Sequence, residues 1–305
     1  MILGLTIAIL AYFLNAVTTV IDKYLLRRSI PNPIAYGFYM GILSIFALPL
    51  LFYQFEYPGL ILLLFDFLAG IVFLVSILLM YIALKRGEAS RVIPIIGGLT
   101  PILIYLYETL IAGSHVSGIQ LGSFCLLIAG SILISVRIKY GKGYSKKRIC
   151  FESLGLAALS ALFLAGYFIL IEQIYTTQIF IAGFVWTRVG SFLGALLLLC
   201  FHKNRKKIFV ATKKIKLTAV SIIISNKVIA GIAFISLNLA VATSSGLIVN
   251  SLGGVQYAFL FLIIIILSYK YPKIIKEKFN KFIIGQKSLA LILIGIGLVL
   301  LFIGG

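Results

Sequence analysis

Acid is scarce in this chain. Of its 305 residues only 8 are Asp or Glu, against 27 Lys or Arg, and charged residues make up 11% of the total. Soluble domains carry about a quarter charged residues, so a soluble enzyme, a secreted disulfide scaffold and a disordered chain are all excluded. Histidine is nearly missing as well. The 2 copies, His115 and His202, fall in loops, and no clustered carboxylates accompany them, which argues against an enzyme and against a metal site. The 3 cysteines, Cys125, Cys150 and Cys200, are odd in number and lack metal-ligand spacing. Two of them lie in apolar runs and read as small buried hydrophobes. No phosphate-cradling glycine loop occurs, so ATP drive is not expected from this chain. No cofactor is implied.

What is present is apolar. At 62% hydrophobic, the chain offers about 190 apolar residues, enough for nine or ten bilayer crossings of ~20 residues each. The runs, separated by charge clusters and Pro/Gly/Asn turns, predict spans at 3–21, 34–55, 60–84, 92–112, 119–136, 154–174, 179–201, 217–242, 247–269 and 288–303. They are continuously apolar, which excludes barrel strands that alternate over about ten residues. The first run lacks a basic leader and ends in Asp22-Lys23 rather than a small-residue cleavage site, so it reads as a span and not a signal peptide.

The basic residues are not scattered. Of the 27 cations, 25 fall in the connections after the first, third, fifth, seventh and ninth spans, and none in the even connections or at the termini. That split fixes an orientation with the odd loops cytoplasmic and both termini outward. The positive excess therefore reads as topology anchors and contacts with anionic headgroups at an inner or plasma membrane. A nucleic-acid partner is not expected.

The chain also looks duplicated. A shift of 153 aligns Leu84 with Leu237, Ala89 with Ala242, Ser90 with Thr243 and Leu99 with Leu252. Each half carries five spans and ends in a glycine-dotted one. An odd number per half turns the second upside down relative to the first. The expected fold is thus an all-α integral membrane protein of ten transmembrane helices in two inverted five-helix repeats, 1–137 and 152–305, joined by a basic linker over 138–151.

Ten spans in two halves, with the turn from Ala83 to Pro101 (AL…GEAS…P), its counterpart from Leu239 to Gly246 and the glycine-dotted final spans, resemble the EamA-type branch of the drug/metabolite transporter superfamily. One departure is Gly113-Ser114 where an acidic GE commonly follows the fourth span. The resemblance implies a secondary transporter, often an exporter of amino acids, metabolites or drugs, with substrate held in a central cavity between the halves.

Polar residues inside spans are the candidate functional groups, because ionisable side chains in hydrocarbon are costly and usually functional. Arg188 and Lys227 each lie about ten residues into a span, ~15 Å deep at 1.5 Å per residue. Two midplane cations without an adjacent acid suggest an anionic or carboxylate-bearing substrate, gripped bidentately by Arg188. Lys227 could instead titrate and couple protons. Pairing of either cation with a carbonyl or a distant acid is the structural alternative. Asp66 and Glu108, near the outer ends of consecutive spans, are candidate coupling groups, partners of Arg188, or interfacial residues. Asn15, Asn226, Gln256 and Tyr105 are candidate substrate contacts, with interhelical hydrogen bonding the equal alternative for the amides. Trp186, about 200° around the helix from Arg188, packs or faces another cavity wall. Gly97 and Gly98 in the fourth span and Gly253 and Gly254 in the ninth occupy matching helices, the pattern of broken helices at a transport site, and read as hinges. Gly118 and Gly122 read instead as close packing.

The sequence thus predicts a secondary transporter, an exporter of a small anionic or zwitterionic metabolite working by alternating access. A lipid or lipid-phosphate flippase, or a membrane assembly factor, is the alternative.

Overall fold

The computed structural model describes residues 2–30, 32–53, 56–110, 118–135, 148–214, 217–243, 253–270 and 281–304. Among these residues there are helices and turns and no strand. That follows from the sequence. With no water in the bilayer core, continuous apolar runs satisfy their backbone groups by closing helices.

In chain order the helices are α1 (Ile2–Arg28), α2 (Pro33–Leu43), which continues as a 3₁₀ segment over Ser44–Phe52, α3 (Leu60–Arg86), α4 (Ala89–Leu110), α5 (Gly118–Ser135), α6 (Arg148–Thr177), α7 (Phe180–Cys200), α8 (His202–Lys214), α9 (Leu217–Thr243), α10 (Gly253–Lys270) and α11 (Lys281–Gly304). Eight of the expected spans coincide with helices long and apolar enough to cross a bilayer; the apolar stretches of α4 and α5 are shorter.

Local chemistry sets several boundaries. Asn32 caps α2, its Oδ1 accepting from the backbone N–H groups of Ile34 and Ala35 at 3.0 and 3.4 Å, and Pro33 stands at the first helical position, where its missing N–H does no harm. Pro49 lies within the 3₁₀ segment, so the second expected span is not one regular helix. Gly59, at φ +89°, opens α3 in a conformation that a side chain would strain.

The structure corrects three expectations. The connection after the seventh span is not a plain loop; it contains α8, built from HKNRKKIFVATKK, which has no Gly or Pro to break it. Cys125 and Cys200 are free and exposed rather than buried, so they lie on the outer surface of the bundle. Gly118 and Gly122 have nothing within 4 Å of a Cβ and do not pack.

Close packing falls elsewhere. Where α3 crosses α7, a Cβ on Gly190 would lie 2.6 Å from Phe67 Cα, and one on Gly70 would collide with the backbone of Thr187. Ser191 Oγ donates to Gly70 O at 2.9 Å across the same crossing. On the opposite flank α5 meets α11, with Gly130 against Ala290 and Gly297 against Ser123. Backbone-to-backbone approach of this kind is how helices associate when the hydrophobic effect gives them no push.

Candidate functional site

Arg188 sits on α7 inside a ring of aromatic side chains. Its Cζ lies 4.6 Å from the centroid of Phe73 on α3, 5.1 Å from Phe184 one turn earlier on α7, and 5.4 Å from Phe234 on α9. One terminal nitrogen donates to Tyr167 Oη at 3.1 Å, and Nε is buried with no partner. Among the described residues no carboxylate forms an ion pair with it. Each guanidinium–ring contact contributes about 0.5–2 kcal/mol. The rings hold the cation in place and leave hydrogen-bonding capacity unspent, so Arg188 can still accept a carboxylate or phosphate.

Lys227 belongs to the same region. The buried stripe of α9 runs Ala219, Ile223, Asn226, Ala233, Ala240, the helical spacing that packs α9 on α1. Lys227 is next to that stripe, and Phe234, two turns on, shares its side of the helix. Lys227 is half-buried and within electrostatic reach of both Asp22 and Arg188.

Asp22 was not legible as a site residue, because the sequence places it at the end of the first span. In the structure α1 runs on to Arg28 and Asp22 is buried. Its carboxylate accepts from Tyr36 Oη on α2 at 2.5 Å and from Asn226 Nδ2 on α9 at 2.6 Å, with Tyr81 on α3 within electrostatic reach of it. The rings of Tyr36 and Tyr81 stand 4.7 Å apart. Four helices therefore meet at one carboxylate, and the oxygen Oδ1 of Asn226 remains buried without a partner.

The other candidates separate. Asp66 is buried, but its partner is Gln178, whose Nε2 lies 3.2 and 3.3 Å from the two carboxylate oxygens. Neither an ion pair with Arg188 nor an exposed interfacial position describes it. Trp186 donates from Nε1 to Glu56 O at 3.1 Å. Asn15 offers its backbone carbonyl to Thr18 and Thr19, and Gln256 is half-buried in the first described turn of α10. The side chains of Tyr105 and Glu108 lie outside the described residues.

The fourth span is not a broken helix, and the residues ahead of Gly253 in the ninth lie outside the described residues. α4 is continuous through Pro94, Gly97, Gly98 and Pro101. A Cβ on Gly97 would meet the hydroxyl and ring of Tyr257 on α10, one on Gly254 would lie 3.3 Å from Gly295 Cα on α11, and one on Gly253 would lie 3.8 Å from Tyr12 Oη. Gly97 and Gly254 are sites of close approach in this conformation, whereas a side chain at Gly253 would find ordinary contact distance.

Three cations that the sequence assigns to loops are used inside the protein. Lys287 is fully buried in α11, with Nζ 3.0 Å from Glu88 Oε2 and 2.6 Å from Ser90 Oγ. Arg91, also buried, places Nε 2.7 Å from the same Glu88 oxygen and donates to Ile134 O at 2.9 Å. Lys23 donates to the carbonyls of Leu84 and Gly87. Burial pushes the Glu88 carboxyl up, but Lys287 and then Arg91 outweigh it and hold the group down at about 2. The cluster fastens the α3–α4 turn to α5 and α11.

Apolar helices of membrane length around a polar interior define an integral multi-pass membrane protein. Residues 2–136 match the EamA-like transporter family, so the first part of the chain is similar to transporters of that family. A search of the solved structures finds a crystal structure, of a protein whose activity is not stated, with a TM-score of 0.52 and 18% sequence identity over 98% of this chain and 94% of the other. That likeness shows a shared fold. No curated protein matches the chain.

Proposed function

We propose that the protein is a secondary transporter that exports a small anionic or zwitterionic, amino-acid-like metabolite, with Arg188 and Lys227 as its substrate-binding cations. The observation that carries this reading is Arg188. It is a permanently charged group within a span, caged by Phe73, Phe184 and Phe234, with a buried unpartnered Nε and no acid paired with it among the described residues. Hydrocarbon penalises such a charge by several kcal/mol, and a ligand carboxylate or phosphate would relieve the penalty. Asp22 offsets Lys227 while the site is empty of anion, and Asn226, shared between them in sequence and contact, relays changes at one to the other. Proton coupling, if present, would run through Lys227 or the buried carboxyls of Asp22 and Asp66.

Ten spans in two inverted halves accompany this reading. Its support is the neighbour pattern. Exchanging the halves turns the α3–α6 contact into α9–α1 and α4–α6 into α10–α1, and returns α5–α11, α2–α7 and α4–α10 to themselves; all of these pairs are in contact. Several pairs break the pattern, among them α2–α3 and α1–α3, whose counterparts α7–α9 and α6–α9 show no comparable contact among the described residues. The largest inequality is that α3 packs along α7, while its counterparts α9 and α2 show no comparable contact among the described residues. Alternating access requires such an inequality, with one flank closed while its twin is open. The basic connections point to outward termini, and labelling of a cysteine at the C-terminus from the cytoplasmic side alone would reverse that orientation.

The test is transport of radiolabelled amino acids and small carboxylates into proteoliposomes. Arg188→Ala and Lys227→Ala are each expected to lower anion transport at least about tenfold, the loss of one ~1.5–3 kcal/mol charged hydrogen bond. Unchanged transport in both variants would sink the charge assignment.

A further inference from the structure

Buried polar atoms without a hydrogen-bond partner gather along one stretch of α6 and α7. Arg188 Nε, Tyr175 Oη and Gln178 Oε1 are all of this kind. Tyr175 is within electrostatic reach of both Arg188 and Asp66, so its hydroxyl links the caged guanidinium to a buried carboxylate. Asp66 is fully buried and Gln178 is 8% exposed. Among the described residues no cation pairs with Asp66; its partner is the neutral Gln178 amide, with Nε2 3.2 and 3.3 Å from the two oxygens. On α3, Asp66 and Phe73 are seven residues apart, which puts them on one face with about 10 Å between them along the axis. Phe73 is the ring 4.6 Å from the Arg188 guanidinium. That guanidinium also lies against Phe184, one turn earlier on α7, so Arg188 reaches back toward the Gln178 end of its helix. The region is polarised. Unspent donor capacity sits at Arg188, and unspent acceptor capacity sits at Asp66 and Gln178.

We infer that Asp66 and Gln178 form an ammonium subsite, and that the transported molecule is a zwitterion carrying a primary amine, with its carboxylate on Arg188. This rests on the reading of Arg188 given above and narrows it from an anion or zwitterion to the zwitterion alone. A primary ammonium has three N–H donors. The two Asp66 oxygens and Gln178 Oε1 are three acceptors, and Oε1 has no other partner. In the structure Gln178 Nε2 holds the donor position at the carboxylate. Half a turn of the Gln178 amide would yield that position to the ammonium and bring Oε1 to it as the third acceptor. The charge balance points the same way. A buried carboxylate whose partner is neutral is penalised, as a buried cation without an acid is. A zwitterion compensates both charges at once, whereas a simple anion compensates only Arg188. The separation of the two ends suits one small molecule contacted at both.

The experiment compares matched pairs in proteoliposomes holding the full-length protein. Radiolabelled alanine, leucine and phenylalanine are set against lactate, 2-hydroxyisocaproate and phenyllactate, which replace the amine with a hydroxyl. The trimethylated form of the best amino acid keeps the positive charge but has no N–H donor. Wild type is expected to prefer the amino acid at least about tenfold in kcat/KM, the worth of one charge-assisted hydrogen bond, and to prefer it over the trimethylated form as well. Asp66→Asn, nearly identical in shape, should bring the two members of a pair to within about twofold of each other. Gln178→Met removes Oε1 without touching the carboxylate and should cut the preference about threefold. The readout is a ratio within one preparation, so a partial loss of folded protein does not alter it, and the Gln178 variant decides if Asp66→Asn cannot be prepared. Equal transport of amino and hydroxy acid by wild type would overturn the ammonium subsite. Equal transport of the trimethylated form, or an unchanged preference in either variant, would do the same. A proton-coupling role for Asp66 gives that last result, since it slows both members of a pair alike. Arg188→Ala separates this inference from the reading beneath it. That variant should slow both members of every pair; if it slows neither, the anion contact at Arg188 fails, while the preference in Asp66→Asn still decides the amine contact. Transport of none of these probes by wild type would overturn both.

Discussion

Changing Glu88 to Gln removes the one carboxylate that Lys287 and Arg91 share. Lys287 is fully buried and Arg91 nearly so, with nitrogens 3.0 and 2.7 Å from the same oxygen. Breaking a buried ion pair by deleting one partner costs about 3–5 kcal/mol. Glutamine keeps an acceptor, so Glu88→Gln should fall near ~3 kcal/mol, or roughly 6 °C in unfolding temperature for a chain of this size. Lys287→Met removes the other charge and replaces it with an apolar side chain of similar length. In the double variant the costs should not add, and a coupling of about 1.5 kcal/mol or more is expected, with Arg91 accounting for the unrecovered part. The pH dependence has a defined sign. The folded carboxyl is held at about 2 against an ordinary 4.5, so its contribution is fully present above the ordinary value and is lost as pH falls toward the folded one. Wild type and Glu88→Gln should therefore differ most at neutral pH and converge in acid. Thermal unfolding in micelles at pH 7 and pH 3 reads both effects. Additive single costs, or a gap that stays constant between the two pH values, would refute the reasoning.

The glycines make a sharper contrast than their sequence motifs suggest. Gly118→Ala and Gly122→Ala have open space around the new Cβ and should be neutral or stabilising by up to ~1 kcal/mol through helix propensity. Gly190→Ala, with Phe67 backbone in the way, should cost about 1–3 kcal/mol; equal unfolding temperatures across the three would disprove the assigned crossing. At Gly97 a methyl group meets Tyr257. If close packing is its role, Gly97→Ala loses transport and stability together, and Tyr257→Leu restores both; a hinge glycine would not be rescued that way.

Much of this protein was readable from local composition. Twenty consecutive apolar residues can satisfy their backbone only as a helix in lipid, so the spans needed no knowledge of neighbours. Arg188 and Lys227 stood out for the same reason, because charge inside such a run is conspicuous wherever the helix packs. The resemblance to EamA-type transporters was carried by the number of spans, by turn residues adjacent in sequence and by the glycine-dotted final span of each half. Asp22, Arg91 and Lys287 did not stand out. Each lies near the end of an apolar run, where a charge is ordinarily solvated, and only the approach of Tyr36 and Asn226, or of Glu88, makes burial tolerable. Gly70 and Gly190 likewise look no different from Gly118 and Gly122 until two backbones are brought together. Periodicity and hydropathy are properties of one segment, and by themselves they determined the helices, their solvent and the two cations at their centre. Which charges are compensated, which glycines are needed and where Gln178 meets Asp66 depend on pairs of segments far apart in sequence, and only the tertiary structure decides those.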